Sequence, residues 1–103
     1  MPLSLIFHPE VEQEVKASYD WYQNQADGLG EDFLSELETA FQTILSMPDT
    51  WPKFQTKFRR FILGKFPFSV VYSVTEEVVF IVAVMHHSRR PEYWLHRADF
   101  FKK

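Results

Sequence analysis

The side chains best suited to chemistry are gathered in the second half of the chain. Lys53, Lys57, Arg59, Arg60 and Lys65 lead into a β-rich stretch, and His86 and His87 at its end precede Arg89, Arg90, Tyr93 and Arg97. Cutting an RNA backbone without a metal needs one group to take the 2′-hydroxyl proton and another to protonate the leaving oxygen. It also needs cations to offset the charge that builds on phosphorus. His86, His87 and Tyr93 are the candidate proton carriers for such a reaction. Imidazole suits it because its ordinary pKa of about 6.5 lets it exchange protons near neutral pH. Lys53, Lys57, Arg59, Arg60, Arg89 and Arg90 are the candidates for holding phosphates or an acidic target.

Neighbouring residues on a strand point to opposite faces, so at most one of Arg59 and Arg60, and one of His86 and His87, can serve a single site. The same divergence argues against a metal centre, since no third ligand stands at a recognisable spacing. The sequence has no Gly-rich phosphate loop, nucleophile elbow or glycosidase-like carboxylate pair, and no cofactor is expected. The plain alternative for any one arginine is an ion pair with an acidic helix residue. Trp21, Trp51 and Trp94 fall outside the clean apolar stripes. Trp21 and Trp94 are candidate anchors for a partner, and cover for the edge of the core is their plain alternative.

These groups need a sheet to hold them. Residues 61–63, 66–74 and 78–85 are rich in Val, Ile, Phe and Tyr and read as strands. Gly64-Lys65 suits a two-residue type II′ hairpin turn, and Thr75-Glu76-Glu77 is a polar break. Alternation puts Phe66, Phe68, Val70, Tyr72 and Val74 on one bulky face, with Pro67, Ser69, Val71 and Ser73 forming a shallow floor on the other. In the last strand Val78, Phe80, Val82 and Val84 oppose Val79, Ile81, Ala83 and Met85. Both faces need cover, which predicts a central strand.

Residues 3–7 predict a further strand of the same sheet. Pro9 then opens a helix with Glu10 and Glu12 in its first turn and Val11, Val15, Tyr19 and Tyr22 as its buried stripe, running to about Gln25. Gly28-Leu29-Gly30 breaks it. A second helix follows from about Leu29 or Glu31 to Met47, with Phe33, Leu37, Ala40, Phe41, Ile44 and Leu45 on one face. Residues 49–58 read as a loop, and residues 91–103 as a C-terminal piece with a turn of helix. The order β-α-α-β-β-β predicts an α+β domain: an antiparallel helical hairpin on a four-stranded, mostly antiparallel sheet.

Its 103 residues make one domain, 1–103, with room for a hydrophobic core. The chain has no cysteine, which excludes disulfides and zinc-thiolate sites and fits a reducing cytoplasm. Its apolar runs are too short to span a bilayer, and no signal-peptide pattern opens the sequence, so no membrane partner is expected. The net charge of −3 conceals an asymmetry. Residues 1–50 hold one basic and ten acidic residues, a net −9, while residues 51–103 hold ten basic and four acidic, a net +6. Such a division suits a basic patch that meets phosphates or an acidic partner.

Six segments in order resemble a known family. They are FHPEVEQEV at the first helix, Trp21-Tyr22, LGEDFLSELE at the second helix, Trp51-Pro52, RRFILGKFPFSVVY across two strands, and AVMHHSRRPEYWLHR at the end. Together they resemble the RelE/ParE superfamily of bacterial toxins from type II toxin-antitoxin, or plasmid stabilisation, modules, over nearly the whole chain. The resemblance implies a RelE/ParE-like fold and a cytoplasmic toxin that inhibits bacterial growth. It also implies a cognate antitoxin whose C-terminal segment wraps over the sheet and helices, where Trp21 and Trp94 would be contacts. A homodimer and a toxin-antitoxin heterotetramer are both compatible with it.

The resemblance leaves two targets open. Members that cut ribosome-bound mRNA carry basic residues along the middle strands and an Arg and Tyr near the C-terminus. Here Lys53 and Lys57 fall in the loop, Arg60 begins a strand, and Arg90 and Tyr93 take the later positions, but the middle strand FPFSVVYSV has no basic residue. The long helices resemble the branch that poisons DNA gyrase. The expectation is therefore a toxin that binds a protein target such as gyrase. The alternatives are a metal-independent, ribosome-dependent mRNA endoribonuclease of RelE type, and a non-toxic antitoxin-binding module or decayed relative.

Overall fold

Helix α1 (Pro9–Gln25) starts at the proline, whose missing N–H would be unpaired in a first turn. In this computed structural model, which describes residues 3–55, 57–90 and 92–101, His8 caps that turn. Its Nδ1 accepts the Glu10 N–H at 3.1 Å, while Glu10 and Glu12 place negative charge where the helix dipole favours it. Pro91 and the last two lysines, which belong to the expected C-terminal piece, lie outside the described residues, as does the Phe101 side chain.

Helix α2 (Leu29–Ser46) buries Phe33, Leu37, Ala40 and Ile44 along one stripe, as the 3.6-residue spacing requires. Two glycines make the hairpin between the helices. Gly28 takes φ 89°, a left-handed conformation that costs a side-chain-bearing residue energy. Gly30 permits close approach, since a Cβ there would meet the Tyr19 ring at 2.8 Å. Tyr19 donates to Glu31 at 2.7 Å, and the Gly30 N–H donates to Gln23 at 2.8 Å, so the first turn of α2 is stitched to the last turns of α1.

The sheet has five strands, β1 (Ser4–Phe7), β2 (Lys53–Phe54), β3 (Phe58–Ile62), β4 (Phe68–Val74) and β5 (Val78–His86). Their order is β1-β5-β4-β3-β2. The strand beyond the expected four is β2, two residues of the predicted loop that pair with β3 through Lys53 and Arg59. β1 runs parallel to β5, an arrangement that the long intervening connection through both helices allows, and the other pairs are antiparallel.

The bulky face of β4 meets the helices as expected: Phe66, Phe68, Val70 and Tyr72 join Val11, Phe33, Leu37 and Ile44 in the main core. Three other expectations are corrected. The far face is no shallow floor, because Trp94 covers Val71, Val82, Ala83 and Met85 together with Phe54 and Phe58. The alternation in β5 breaks at Val82. The pairing steps from Tyr72 with Ile81 to Val71 with Ala83, so Val82 is a bulge residue; Val79, Ile81 and Val84 reach the helix side while Val82, Ala83 and Met85 reach the other.

Third, Gly64-Lys65 forms no II′ turn. That turn needs a positive φ that Gly64 lacks, and the connection spans residues 63–67. The carboxylate of Glu36 on α2 fixes it, accepting the N–H groups of Gly64 at 2.6 Å and Lys65 at 3.0 Å. After β5 the chain turns back across the sheet and ends in a 3-10 helix, Leu95–Phe101.

Candidate functional site

Pairing in the sheet decides where each cation points. Arg59 lies opposite Tyr72 and so faces the helices, where its guanidinium donates to the Trp51 carbonyl at 2.6 Å. It thereby pins the residue 47–52 segment, as does the Tyr72 hydroxyl, which donates to the Pro48 carbonyl at 2.6 Å. Burial pushes the Tyr72 pKa up to about 12, so this hydroxyl stays a donor. Arg60 faces the other way, with its guanidinium 4.5 Å from the centre of the Phe54 ring. Lys53 and Lys57 are exposed on either side of the β2–β3 turn.

The two histidines diverge in the same way. His86 packs edge-on to Phe68 at 4.9 Å, and its Nδ1 accepts the Ser88 N–H at 3.0 Å. His87 stands on the opposite face, with its Nε2 2.8 Å from the hydroxyl of fully buried Ser69. Arg89 and Arg90 are exposed, and the Arg89 guanidinium lies 3.9 Å above the Tyr93 ring. Arg60 and Arg89 thus cap one aromatic layer: Phe54 and Phe58 pack on Trp94 at 5.9 and 4.8 Å, and Tyr93 joins the same cluster. A cation over a ring face keeps its edge donors available for a carboxylate or phosphate.

Tyr93 does not stand free beside the histidines. Its hydroxyl donates to Glu14 of α1 at 2.6 Å, and its pKa is raised, first by burial and then by that hydrogen bond, so it holds its proton at any ordinary pH. Glu14 is the centre of a lock that sequence reasoning did not reveal. Its other oxygen, Oε1, accepts the Val84 N–H at 3.0 Å on the part of β5 that extends past β1, while Arg97 pairs at 2.9 Å with Oε2, the oxygen that also takes the Tyr93 hydroxyl. Arg97 also donates to the Val82 carbonyl at 3.1 Å and reaches Glu10 at 3.3 Å. The bulged, unpartnered edge of β5 is therefore satisfied by one acid and one base, which strap the C-terminal segment to α1. The available signal was an acid at position 14, on the buried stripe that Val11, Val15 and Tyr22 define.

The two candidate anchors separate. Trp21 is 59% exposed on α1, whereas Trp94 is fully buried and in this conformation offers a partner no surface. Other apolar surface lies around a groove of about 700 Å³ between the helices, where Phe7, Val11, Val15, Leu34 and Phe41 form the walls. Among the described residues no group of three or more His, Asp or Glu side chains could hold a metal ion. No helix of the described residues is long and apolar enough to cross a membrane.

A helical hairpin laid on an open, mostly antiparallel sheet, with a basic C-terminal crossing, is the architecture of a RelE/ParE superfamily toxin. A family model described as the ParE toxin of the type II toxin-antitoxin system, parDE, matches residues 5–91, and the chain belongs to that family. The fold is shared with a solved chain of the chromosomal ParDE TA system from P. aeruginosa, with a TM-score of 0.72 at 16% identity, over 82% of this chain and 95% of that one. No curated protein sequence matches the chain.

Proposed function

We propose that this chain is the toxin of a type II toxin-antitoxin module and that it arrests bacterial growth in the cytoplasm by binding a protein, DNA gyrase, until a cognate antitoxin restrains it. Family membership supports the first part. The observation that carries the choice of binding over cleavage is the divergence of the three proton carriers. His86 faces α1, His87 is engaged with Ser69 on the other side of the sheet, and the Tyr93 hydroxyl is committed to Glu14. General acid-base catalysis needs two such groups within hydrogen-bond reach of one phosphate. Binding needs only a surface, and exposed Arg89, Arg90, Lys53 and Trp21 supply charge and apolar contact without any proton transfer.

The experiment is induced expression in a bacterium, with and without the neighbouring reading frame. The expected result is growth arrest, gyrase-dependent DNA breaks, and recovery when the neighbour is co-expressed. Arrest with fragmented mRNA and intact DNA would replace the target by RNA, and unimpaired growth would leave a non-toxic binding module.

A further inference from the structure

Between α1 and the end of β5 lies a second cleft, of about 300 Å³. Its walls are rings in sequence: Trp21 meets Tyr22 edge-on at 5.1 Å, Tyr22 lies 6.2 Å from Phe68, and Phe68 meets His86 at 4.9 Å. Ser18, Tyr22, His86 and Ser88 bring polar groups to its lining. Because His86 Nδ1 accepts the Ser88 N–H, the proton of the neutral ring sits on Nε2, which makes that nitrogen a donor. Neither this N–H nor the hydroxyls of Ser18, Tyr22 and Ser88 bond to another described residue. Arg89 and Arg90 follow Ser88 directly, both exposed and neither paired with a described carboxylate.

We propose that this cleft is a socket for one aromatic side chain, tyrosine or tryptophan, on a protein segment that carries carboxylates beside it. A cleft at the small end of the ligand-pocket range has room for one such side chain. Aromatic walls favour a ring in edge-to-face contact, and a phenol or indole also brings a polar edge to meet the donor on His86 and the hydroxyls. Arg89 and Arg90 do not line the cleft but follow Ser88, which does, so carboxylates further along the same segment would meet them as it leaves the cleft; the Arg89 fork lies flat on Tyr93. A nucleic-acid strand fits less well: it carries a charge at every nucleotide and would have to run along α1, part of the half of the chain with net charge −9. The socket rests on the reading that this chain works by binding protein.

The probe is the peptide acetyl-Tyr-Asp-Asp-amide, titrated into the full chain and followed by NMR at the Trp21 indole N–H and the His86 ring. Saturable shifts are expected, with affinity at least about tenfold above that of acetyl-Ala-Asp-Asp-amide, since one well-packed aromatic anchor dominates such contacts. Trp21→Ala, read at the His86 ring, and Ala17→Phe, which fills the cleft from its rim and is read at both reporters, should abolish the shifts at unchanged Tm. Arg89→Ala with Arg90→Ala should weaken binding and remove its salt dependence. No saturable shift, equal affinity for the alanine peptide, wild-type binding by Trp21→Ala, or the same shifts from a single-stranded oligonucleotide alone would each overturn the socket. Growth arrest by the same protein separates the two readings. Arrest without peptide binding removes the socket and leaves the toxin, whereas peptide binding without arrest does the reverse.

Discussion

At the level of single residues, two ionisable groups stand out, His8 for the response of the fold to acid and Glu14 for its response to mutation. His8 caps α1 through an unprotonated Nδ1, and its pKa is lowered, first by burial and then by the Arg97 charge, with His96 acting in the same sense and Glu10 and Glu14 opposing. The unfolded chain therefore takes up a proton near pH 6.5 that the folded chain still refuses. Stability should be constant above that pH, fall as the pH drops from there through the lowered native value, and level off below it. His8→Asn keeps a capping acceptor and should abolish the His8 part of this slope in urea midpoints measured from pH 8 to pH 5, while His8→Ala should cost about 1 kcal/mol at pH 8.

The second group is the Glu14 carboxylate, with a side chain only 13% exposed and paired with Arg97, itself 5% exposed. Removing one partner of a buried pair strands the other charge, so Glu14→Ala should cost about 3–5 kcal/mol in denaturant titrations. Glu10→Ala, whose side chain is 58% exposed, should cost less than about 1 kcal/mol. Equal losses would show that Glu14 is no lock. The divergence of Arg59 from Arg60 and of His86 from His87 could be read from adjacency, because neighbours on a regular stretch of strand face opposite sides. The lock could not, because its partners lie 70 and 79 residues from Glu14 and meet only once the sheet and the C-terminal crossing are in place.

At the level of elements, the two hairpin glycines make a prediction that separates backbone strain from crowding. Gly28→Ala places a Cβ in open space but at φ 89°, so its cost of about 1 kcal/mol is conformational and independent of neighbours. Gly30→Ala drives a Cβ against the Tyr19 ring and the Gln23 side-chain oxygen, for about 1–3 kcal/mol, and that cost should shrink in a Tyr19→Ala background. Thermal unfolding of the single and double variants checks both. The helices and the β4 faces were legible because their apolar spacing is regular over many residues. The β5 bulge was not, since Val82, Ala83 and Val84 are alike in polarity and any of them fits either face. Nor was the 63–67 connection, whose shape comes from Glu36 on a distant helix rather than from its own Gly-Lys pair.

At the level of the whole molecule, the two tryptophans proposed as partner anchors divide into a core residue and a surface residue. Trp94→Ala opens the centre of the far-face layer and should cost about 3–5 kcal/mol of stability, so any loss of partner binding would arrive through unfolding. Trp21→Ala should change stability by less than about 0.5 kcal/mol and act on binding alone. Circular dichroism melts of the two variants decide this before any binding assay is read. The division of charge, −9 in the first half against +6 in the second, should make association with an acidic partner slow down as salt is raised, mostly through the on-rate.

The claim that the protein acts by contact rather than by proton transfer is tested most directly by growth inhibition with His86→Ala and His87→Ala. DNA breaks and mRNA integrity are scored in the same cells. Loss of a general base costs about 10²- to 10⁴-fold in rate, so an RNA-cutting toxin would lose its effect in one of the two. The prediction is that both variants still arrest growth with gyrase-dependent breaks and that substitutions at Arg60 or Arg90 weaken the arrest more. Loss of toxicity in one well-folded histidine variant, together with mRNA cleavage by the unaltered protein, would contradict it.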